Sequence, residues 1–427
     1  MTTRLDAIIV GAGPAGASAA ILLASAGWSV ALIEKSIFPR RKVCGECVAA
    51  SNFPLLEALG IGPDFSAQAG PELRQTAVMR GAHSVVADLP PAPHAQHPWG
   101  RALGREILDT LLLERARAVG ATVMQPWAVQ KISSAAGSHH CTVRDVVSGK
   151  WGDLQAPVVI LAHGSWEPLP AERAVRQAVR RGSDLLAFKA TFHAASLPAG
   201  LLPVLLFAGG YGGMVQADHG IFTLACCIRA DKLEALRRSS PGKPAGDVVQ
   251  DMLLRECKGV SDALRGAVRQ GAWMASGPLA PGVRLRSDET IFRIGNAAGE
   301  AHPIIGEGMS MALQSAGLLC AKLVQARAAC PTPHESTWQI AVHADYAAQW
   351  RRQFVPRMRL AAVFANLAMR PVTSAALVAV LKRWPSLLTQ GAVWAGKVNC
   401  TMDATPVVDR FHASADTRLD RLPTSVS

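Results

Sequence analysis

Two glycine-rich segments, far apart in the chain, carry residue types suited to holding a phosphate-bearing ligand. The first is Gly11-Ala12-Gly13-Pro14-Ala15-Gly16. In a turn of this pattern each glycine has its own task. Gly11 permits the tight turn, Gly13 lets backbone approach a pyrophosphate without a Cβ in the way, and Gly16 lets the next helix pack close to the strand before it. Glu34 follows about 20 residues past the motif, where a carboxylate takes ribose hydroxyls. The second segment is Gly295-Asn296-Ala297-Ala298-Gly299, followed by Pro303-Ile304-Ile305-Gly306-Glu307-Gly308. It leads into a helix whose free N–H groups suit an anion. Gly306 and Gly308 allow close approach.

In this order the two segments predict one flavin adenine dinucleotide (FAD) held by both parts of a folded-back chain. The adenosine end rests on Gly11, Gly13, Pro14, Ala15, Gly16 and Glu34. The flavin pyrimidine edge rests on Gly306 and Gly308.

Those residues require elements to position them. Leu5 to Val10 reads as a buried parallel strand. Ala17 to Ala26 is a strong helix former that Gly27 stops. Ser29 to Ile33 is a second strand, ending at Glu34. A polar, proline-rich stretch from Asp88 to Gly100 precedes a helix from Glu106 to Ala118, and strands follow at Ala121 to Met124 and Val158 to Ala162. From about Asp184 the pattern becomes that of long antiparallel strands, at Leu185 to His193, Leu205 to Gln216 and Ile221 to Arg229. The chain returns to a strand at Thr290 to Ile294 and a helix at Gly308 to Gln325. Three apolar helices follow, Met358 to Ala368, Ser374 to Leu381 and Ser386 to Trp394.

The expected fold is α/β: a discontinuous Rossmann-like FAD-binding domain with an inserted antiparallel-sheet substrate domain and a helical C-terminal region. The boundaries are 1–183 for the first FAD-binding part, with a small polar excursion near 70–100. The covering sheet is 184–284 and the second FAD-binding part 285–330. The helical region is 331–400 and a polar tail 401–427.

Composition narrows the class. With 427 residues, 49% hydrophobic and 18% charged, the chain is neither disordered nor a solenoid. No signal peptide is expected before the first strand. Nine scattered cysteines fit a reducing compartment, hence a cytoplasmic protein. The net charge of +12 suits an acidic substrate, a coenzyme A ester, an acidic carrier protein or an anionic membrane. No nucleic-acid motif and no metal-ligand spacing accompanies it. No apolar run approaches the ~18 residues of a membrane span, so a membrane contact would be peripheral.

These features resemble the flavoprotein superfamily that contains para-hydroxybenzoate hydroxylase, geranylgeranyl reductases and flavin-dependent halogenases. Leu161-Ala162-His163-Gly164-Ser165 is similar to its middle motif, with His163 where an aspartate is usual. Asn296 stands where the family motif has an acid, and an amide can still bond flavin hydroxyls. Arg105 matches a position that often contacts FAD, and Lys35 and Val129 join the cofactor-binding candidates. The loop Phe38-Pro39-Arg40-Arg41-Lys42-Val43-Cys44-Gly45-Glu46 resembles one that passes close to the flavin ring in the reductase and halogenase-like branch. Cys44 and Cys47 also form a CxxC, readable as a redox pair or as one family cysteine and an incidental second.

The resemblance implies an FAD-dependent oxidoreductase with NADPH or NADH as reductant and a hydrophobic small-molecule substrate. The catalytic candidates are Cys44, Glu46, His302 and Tyr211, with Gln216 as a further polar residue. A monooxygenase is expected, with an alkene reductase of geranylgeranyl type as the alternative. A halogenase is disfavoured, because the chain has no Trp-x-Trp and no lysine between Lys42 and Lys131. An FAD-binding protein without catalysis is the non-enzyme alternative.

Overall fold

The computed structural model describes residues 5–93, 96–135, 137–165, 181–286, 289–329 and 336–397. The polar tail expected from 401 lies outside them, as do residues 398–400.

Five short parallel strands form the FAD-binding sheet, in the order Phe292–Arg293, Val158–Leu161, Ala7–Val10, Val30–Ile33 and Thr122–Met124. The three central ones are buried at every residue, as parallel strands covered on both faces must be. Alternation sends Ala7 and Ile9 toward the helices Pro14–Ser25, Arg105–Ala118 and Gly308–Ala329, and Ile8 and Val10 to the opposite face. Two glycines make this packing possible. At Gly11 φ is +101°, and a Cβ there would lie 2.7 Å from the Ala162 carbonyl oxygen. At Gly16 a Cβ would lie 1.8 Å from the Gly11 carbonyl oxygen.

The far face of the sheet carries a three-stranded antiparallel sheet, Trp127–Ala135, Ser138–Asp145 and Trp151–Ala156. The apolar runs did not announce it, because its outer residues are exposed and polar. Val129 belongs to this layer. It packs with Ile8, Val143 and Val159 in the core and does not face the cofactor cleft, which corrects its place among the cofactor candidates.

The covering sheet is ordered Val268–Arg269, Leu185–His193, Phe222–Arg229, Gly210–Gln216, Leu201–Phe207, Gln75–Arg80 and His83–Asp88, with Met274–Ser276 also paired to Leu185–His193. It therefore draws on two separate stretches of chain. The hairpin of Gln75–Arg80 and His83–Asp88 lies in the segment expected as an excursion of the FAD-binding part. Gln75–Arg80 pairs parallel with Leu201–Phe207, a non-local pairing that local patterning does not encode. Leu205 to Gln216, expected as strand broken by glycine turns, covers the end of Leu201–Phe207 and all of Gly210–Gln216, turned at Gly209 with φ +78°.

The sheet separates two cores. Helices Ala230–Arg238, Ala245–Glu256 and Lys258–Ala263 cover its back. The C-terminal helices Ser336–Met369, Pro371–Arg383 and Ser386–Trp394 cover its front, with Ala361, Ala365, Val378 and Leu381 packed against Leu206, Tyr211 and Ile304. The first of these helices starts well before Met358. Its Tyr346, Trp350 and Phe354 are fully buried in the core that also holds helix Gly308–Ala329, and Tyr346 donates to the Arg293 carbonyl at 2.8 Å.

Candidate active site

The adenosine end of the cleft begins at the turn after strand Ala7–Val10. Helix Pro14–Ser25 starts at Gly13 with no side-chain cap and no acid in its first turn. Its first N–H groups are thus left for an anion. A Cβ at Gly13 would meet only Arg105 Nη2, at 3.6 Å, so this backbone faces open cleft under a cation. Arg105 is buried and makes two bonds of 2.7 Å to Asp109. Burial alone would lower its pKa, but the Asp109 carboxylate holds it above the ordinary value. Glu34 accepts from the Ala12 N–H at 2.9 Å and the Ser36 N–H at 2.8 Å, which fixes the carboxylate beside the turn. Arg40 reaches it at 3.4 Å. Lys35 is half-buried next to Glu34 but lines no part of the cavity described below.

The flavin end is built by the second glycine segment. Gly306 adopts φ +65°, and helix Gly308–Ala329 begins with no acid in its first turn. A Cβ at Gly308 would meet nothing within 4 Å, so this helix start also opens onto the cavity. Glu307 is fully buried between these glycines. It pairs with Lys397 at 3.1 Å and Arg357 at 3.8 Å, while Lys397 donates to the Gly306 carbonyl at 3.2 Å. The C-terminal region thereby braces the loop. Asn296 donates to Ser165 Oγ at 2.8 Å, joining the second glycine segment to the middle motif, and His163 lines the cavity beside them.

Both helix starts, the fixed carboxylate and the cationic Arg105 fit FAD. Gly11, Gly13, Pro14, Ala15, Glu34, Arg105, Asn296, Gly306 and Gly308 would hold it, with Gly16 setting the helix position from behind. Bound there, FAD supplies two-electron transfer and, when reduced, reactivity toward oxygen.

The loop Phe38–Cys47 crosses from the cleft to the covering sheet. Glu46 sits at its end with φ +62° and is buried. Its carboxylate bonds Lys189, Thr223 and the Arg105 backbone N–H. Such an acid clamps the loop to the sheet; its acceptors are engaged, so the geometry gives it a positioning role and not the catalytic one expected. Cys44 lines the cavity, and its sulfur accepts the Glu46 N–H at 3.3 Å. Cys44 and Cys47 are both free thiols, and burial pushes Cys47 up to about 12. The redox-pair reading gains nothing from this arrangement.

The opposite wall carries a second polar group. Tyr211 and Cys227 are cross-strand partners on neighbouring strands of the covering sheet. The Tyr211 hydroxyl lies 3.2 Å from His302 Nδ1. Burial pushes the Tyr211 phenol well above its ordinary value, with Cys227 and Glu300 adding to the rise. Burial pushes His302 below the usual histidine range, against the pull of Glu300. At neutral pH the pair is a protonated phenol beside a neutral imidazole. Tyr211 therefore stays protonated and can offer a hydrogen bond to a molecule at the wall. Glu300 is buried and held by Arg284 at 2.8 Å. Gln216 does not line the cavity.

One connected cavity of about 560 Å3 joins these parts. Beyond the cofactor cleft its wall is apolar, with Leu206, Ile304, Phe364, Leu377 and Leu381 among the lining residues. Lys189, Glu300 and Glu307 were missed from the sequence. A signal existed for two of them: Lys189 is the one charge inside an apolar strand, and Glu307 stands between two motif glycines.

Fold and cleft together define an FAD-binding scaffold. The chain belongs to the FAD binding domain family, whose model matches residues 4–329. Among curated relatives it is 24% identical over 338 residues to conditioned medium factor receptor 1 of Dictyostelium discoideum, covering 75% of this chain and 63% of that one. It is 31% identical over 168 residues to menaquinone reductase of Mycobacterium tuberculosis (strain ATCC 25618 / H37Rv), covering 38% of each. It is 21% identical over 334 residues to the FAD-dependent monooxygenase ankC of Aspergillus thermomutatus, covering 73% of this chain and 55% of that one. The chain thus spans less than two thirds of the length of each of these relatives. Among solved structures, CmlS, a flavin-dependent halogenase, superposes with a TM-score of 0.72 at 21% identity, over 99% of this chain and 78% of that one. At that identity the likeness is one of fold.

Proposed function

We propose that this chain is an FAD-dependent monooxygenase that oxidises a largely apolar, aromatic or isoprenoid-like substrate, with NADPH or NADH as reductant. The observation that carries the reading is the apolar cavity continuous with the cofactor cleft. A pocket with few polar groups selects an apolar body and orients it by a few contacts, here Tyr211 backed by His302. The apolar walls offer water few partners at the reacting face, and Tyr211 donates a hydrogen bond on the substrate side. The similarity to ankC supports the same reading.

The second reading, an alkene or quinone reductase, is favoured by the similarity to menaquinone reductase. Halogenation is not proposed. No lysine lies between Lys42 and Lys131, and Lys189 is engaged by Glu46 outside the cavity wall.

The test is turnover under ¹⁸O2 with NADPH or NADH and a panel of apolar aromatics and isoprenoids, with products weighed by mass spectrometry. One ¹⁸O atom in the product supports the oxygenase. A product that gains two hydrogens and no oxygen establishes the reductase instead.

A further inference from the structure

We infer that the outward face of the C-terminal helices is a docking surface for an anionic lipid bilayer. It borders an opening of the cavity. Helix Pro371–Arg383 presents Val372, Ala375, Ala376, Ala379 and Val380 to solvent. That is the i, i+3, i+4, i+7, i+8 spacing of a single helical face. On a surface helix this face is normally polar, and here every member is apolar. Val372 is 81% exposed. The opposite face of the helix supplies Leu377 and Leu381 to the cavity wall, so the helix is apolar on both sides.

The neighbouring elements add exposed apolar residues of their own. Trp384 and Trp394 are 53% and 65% exposed, and Leu387 and Val86 are exposed as well. Val380, Leu387 and Trp394 are exposed and also line the cavity. The opening therefore lies within the apolar surface.

Charge selects the partner. From Tyr346 to Lys397 the sequence holds no aspartate or glutamate. Arg370 stands at one end of the stripe and Lys382 and Arg383 at the other, all exposed. Arg383 lies over the Trp384 ring at 5.6 Å. Apolar side chains ringed by long cations, with an aromatic at the boundary, suit a helix lying in the interface of an anionic membrane. No single helix among the described residues is long and apolar enough to cross a membrane, and the pair Trp338–Met369 and Pro371–Arg383, which passes only together, is bent by 107°, so the surface-lying arrangement is the one inferred. Docked this way, the mouth would open to the acyl region, from which a lipophilic molecule enters without crossing water. That last step rests on the apolar-substrate reading; the membrane contact does not.

The experiment is co-sedimentation of full-length, FAD-loaded protein with vesicles of phosphatidylcholine alone or with phosphatidylglycerol. Wild type is compared with Val372→Ser/Trp384→Ser, two residues outside the cavity wall, and with Arg370→Gln/Lys382→Gln/Arg383→Gln. Flavin absorbance and circular dichroism show that each variant is folded. Wild type should bind anionic vesicles, and either set of changes should weaken binding roughly tenfold, from the lost apolar area or charge. Equal binding by wild type and variants overturns the proposal. So does failure of wild type to bind anionic vesicles at low salt, or capture by an acidic carrier protein without vesicle binding. Because no turnover is measured, these outcomes are independent of whether the enzyme is an oxygenase.

Discussion

Replacing Gly13 or Gly16 by alanine adds one methyl group in each case, yet the structure assigns the two changes different consequences. At Gly16 the new Cβ would lie 1.8 Å from the Gly11 carbonyl oxygen and 3.0 Å from its carbon. The helix must move off the sheet by more than an ångström, at a cost on the order of 4 kcal/mol or more. For a domain of this size that lowers Tm by roughly 10 °C. At Gly13 the backbone has φ −70°, ordinary for alanine. The new Cβ would touch only Arg105 Nη2 at 3.6 Å, so the apoprotein should keep its stability within about 1 kcal/mol. The methyl group instead stands where the pyrophosphate must approach. Losing one or two N–H bonds to a charged phosphate costs about 3 kcal/mol, or ~100-fold in affinity. The assay is differential scanning of the apoproteins beside titration with FAD followed by flavin fluorescence. Wild-type FAD affinity in Gly13→Ala would refute the reasoning, as would an apoprotein Tm lowered as much in Gly13→Ala as in Gly16→Ala.

Tyr211→Phe should lower kcat by about 100-fold with FAD binding unchanged if the phenol's hydrogen bond stabilises the reacting group; steady-state kinetics beside a flavin titration check it, and an unchanged kcat removes Tyr211 from the chemistry. His302, lowered by burial, binds its proton more readily in the unfolded chain. Its contribution to stability is therefore full above 6.5, the ordinary value, and declines as pH falls below it toward the lowered folded value. Tm should drop with pH in that window, and His302→Asn should flatten the drop. Lys189→Met strands the buried Glu46 carboxylate and should cost about 3–5 kcal/mol in urea unfolding, while Lys189→Met with Glu46→Gln should recover much of it; equal losses in both would show the pair to be uncoupled. Supplying chloride or bromide with a flavin reductase should yield no halogenated product by mass spectrometry.

What could be read from the sequence was what is encoded locally. The strand, glycine turn and helix of residues 7–25 are contiguous, and each residue type has one physical reason to be there. The second glycine segment was legible for the same reason. Pairings between distant segments were not. Gln75–Arg80 joins Leu201–Phe207, and its proline-rich flank disguised it as an excursion. Glu46 looked reactive as a lone acid in a flavin-side loop; Lys189, which engages it, lies 143 residues away. Val129 sits in the core behind the parallel sheet, and the antiparallel layer that holds it has too weak an apolar signal to be read from the sequence. The first C-terminal helix was shortened because the polar residues between Ser336 and Arg357 hide Tyr346, Trp350 and Phe354, whose burial depends on helix Gly308–Ala329.

The central claim is that both ends of one FAD are specified, the adenosine end by the first glycine turn with Glu34 and Arg105, the flavin end by Gly306 to Gly308. Calorimetric titration of the apoprotein with FAD and, separately, with flavin mononucleotide tests it most directly. The account predicts one FAD per chain and binding of the mononucleotide at least ~100-fold weaker, since the shorter ligand leaves the pyrophosphate and ribose contacts unmade. Equal affinity for the two flavins, or no uptake of FAD, would contradict it.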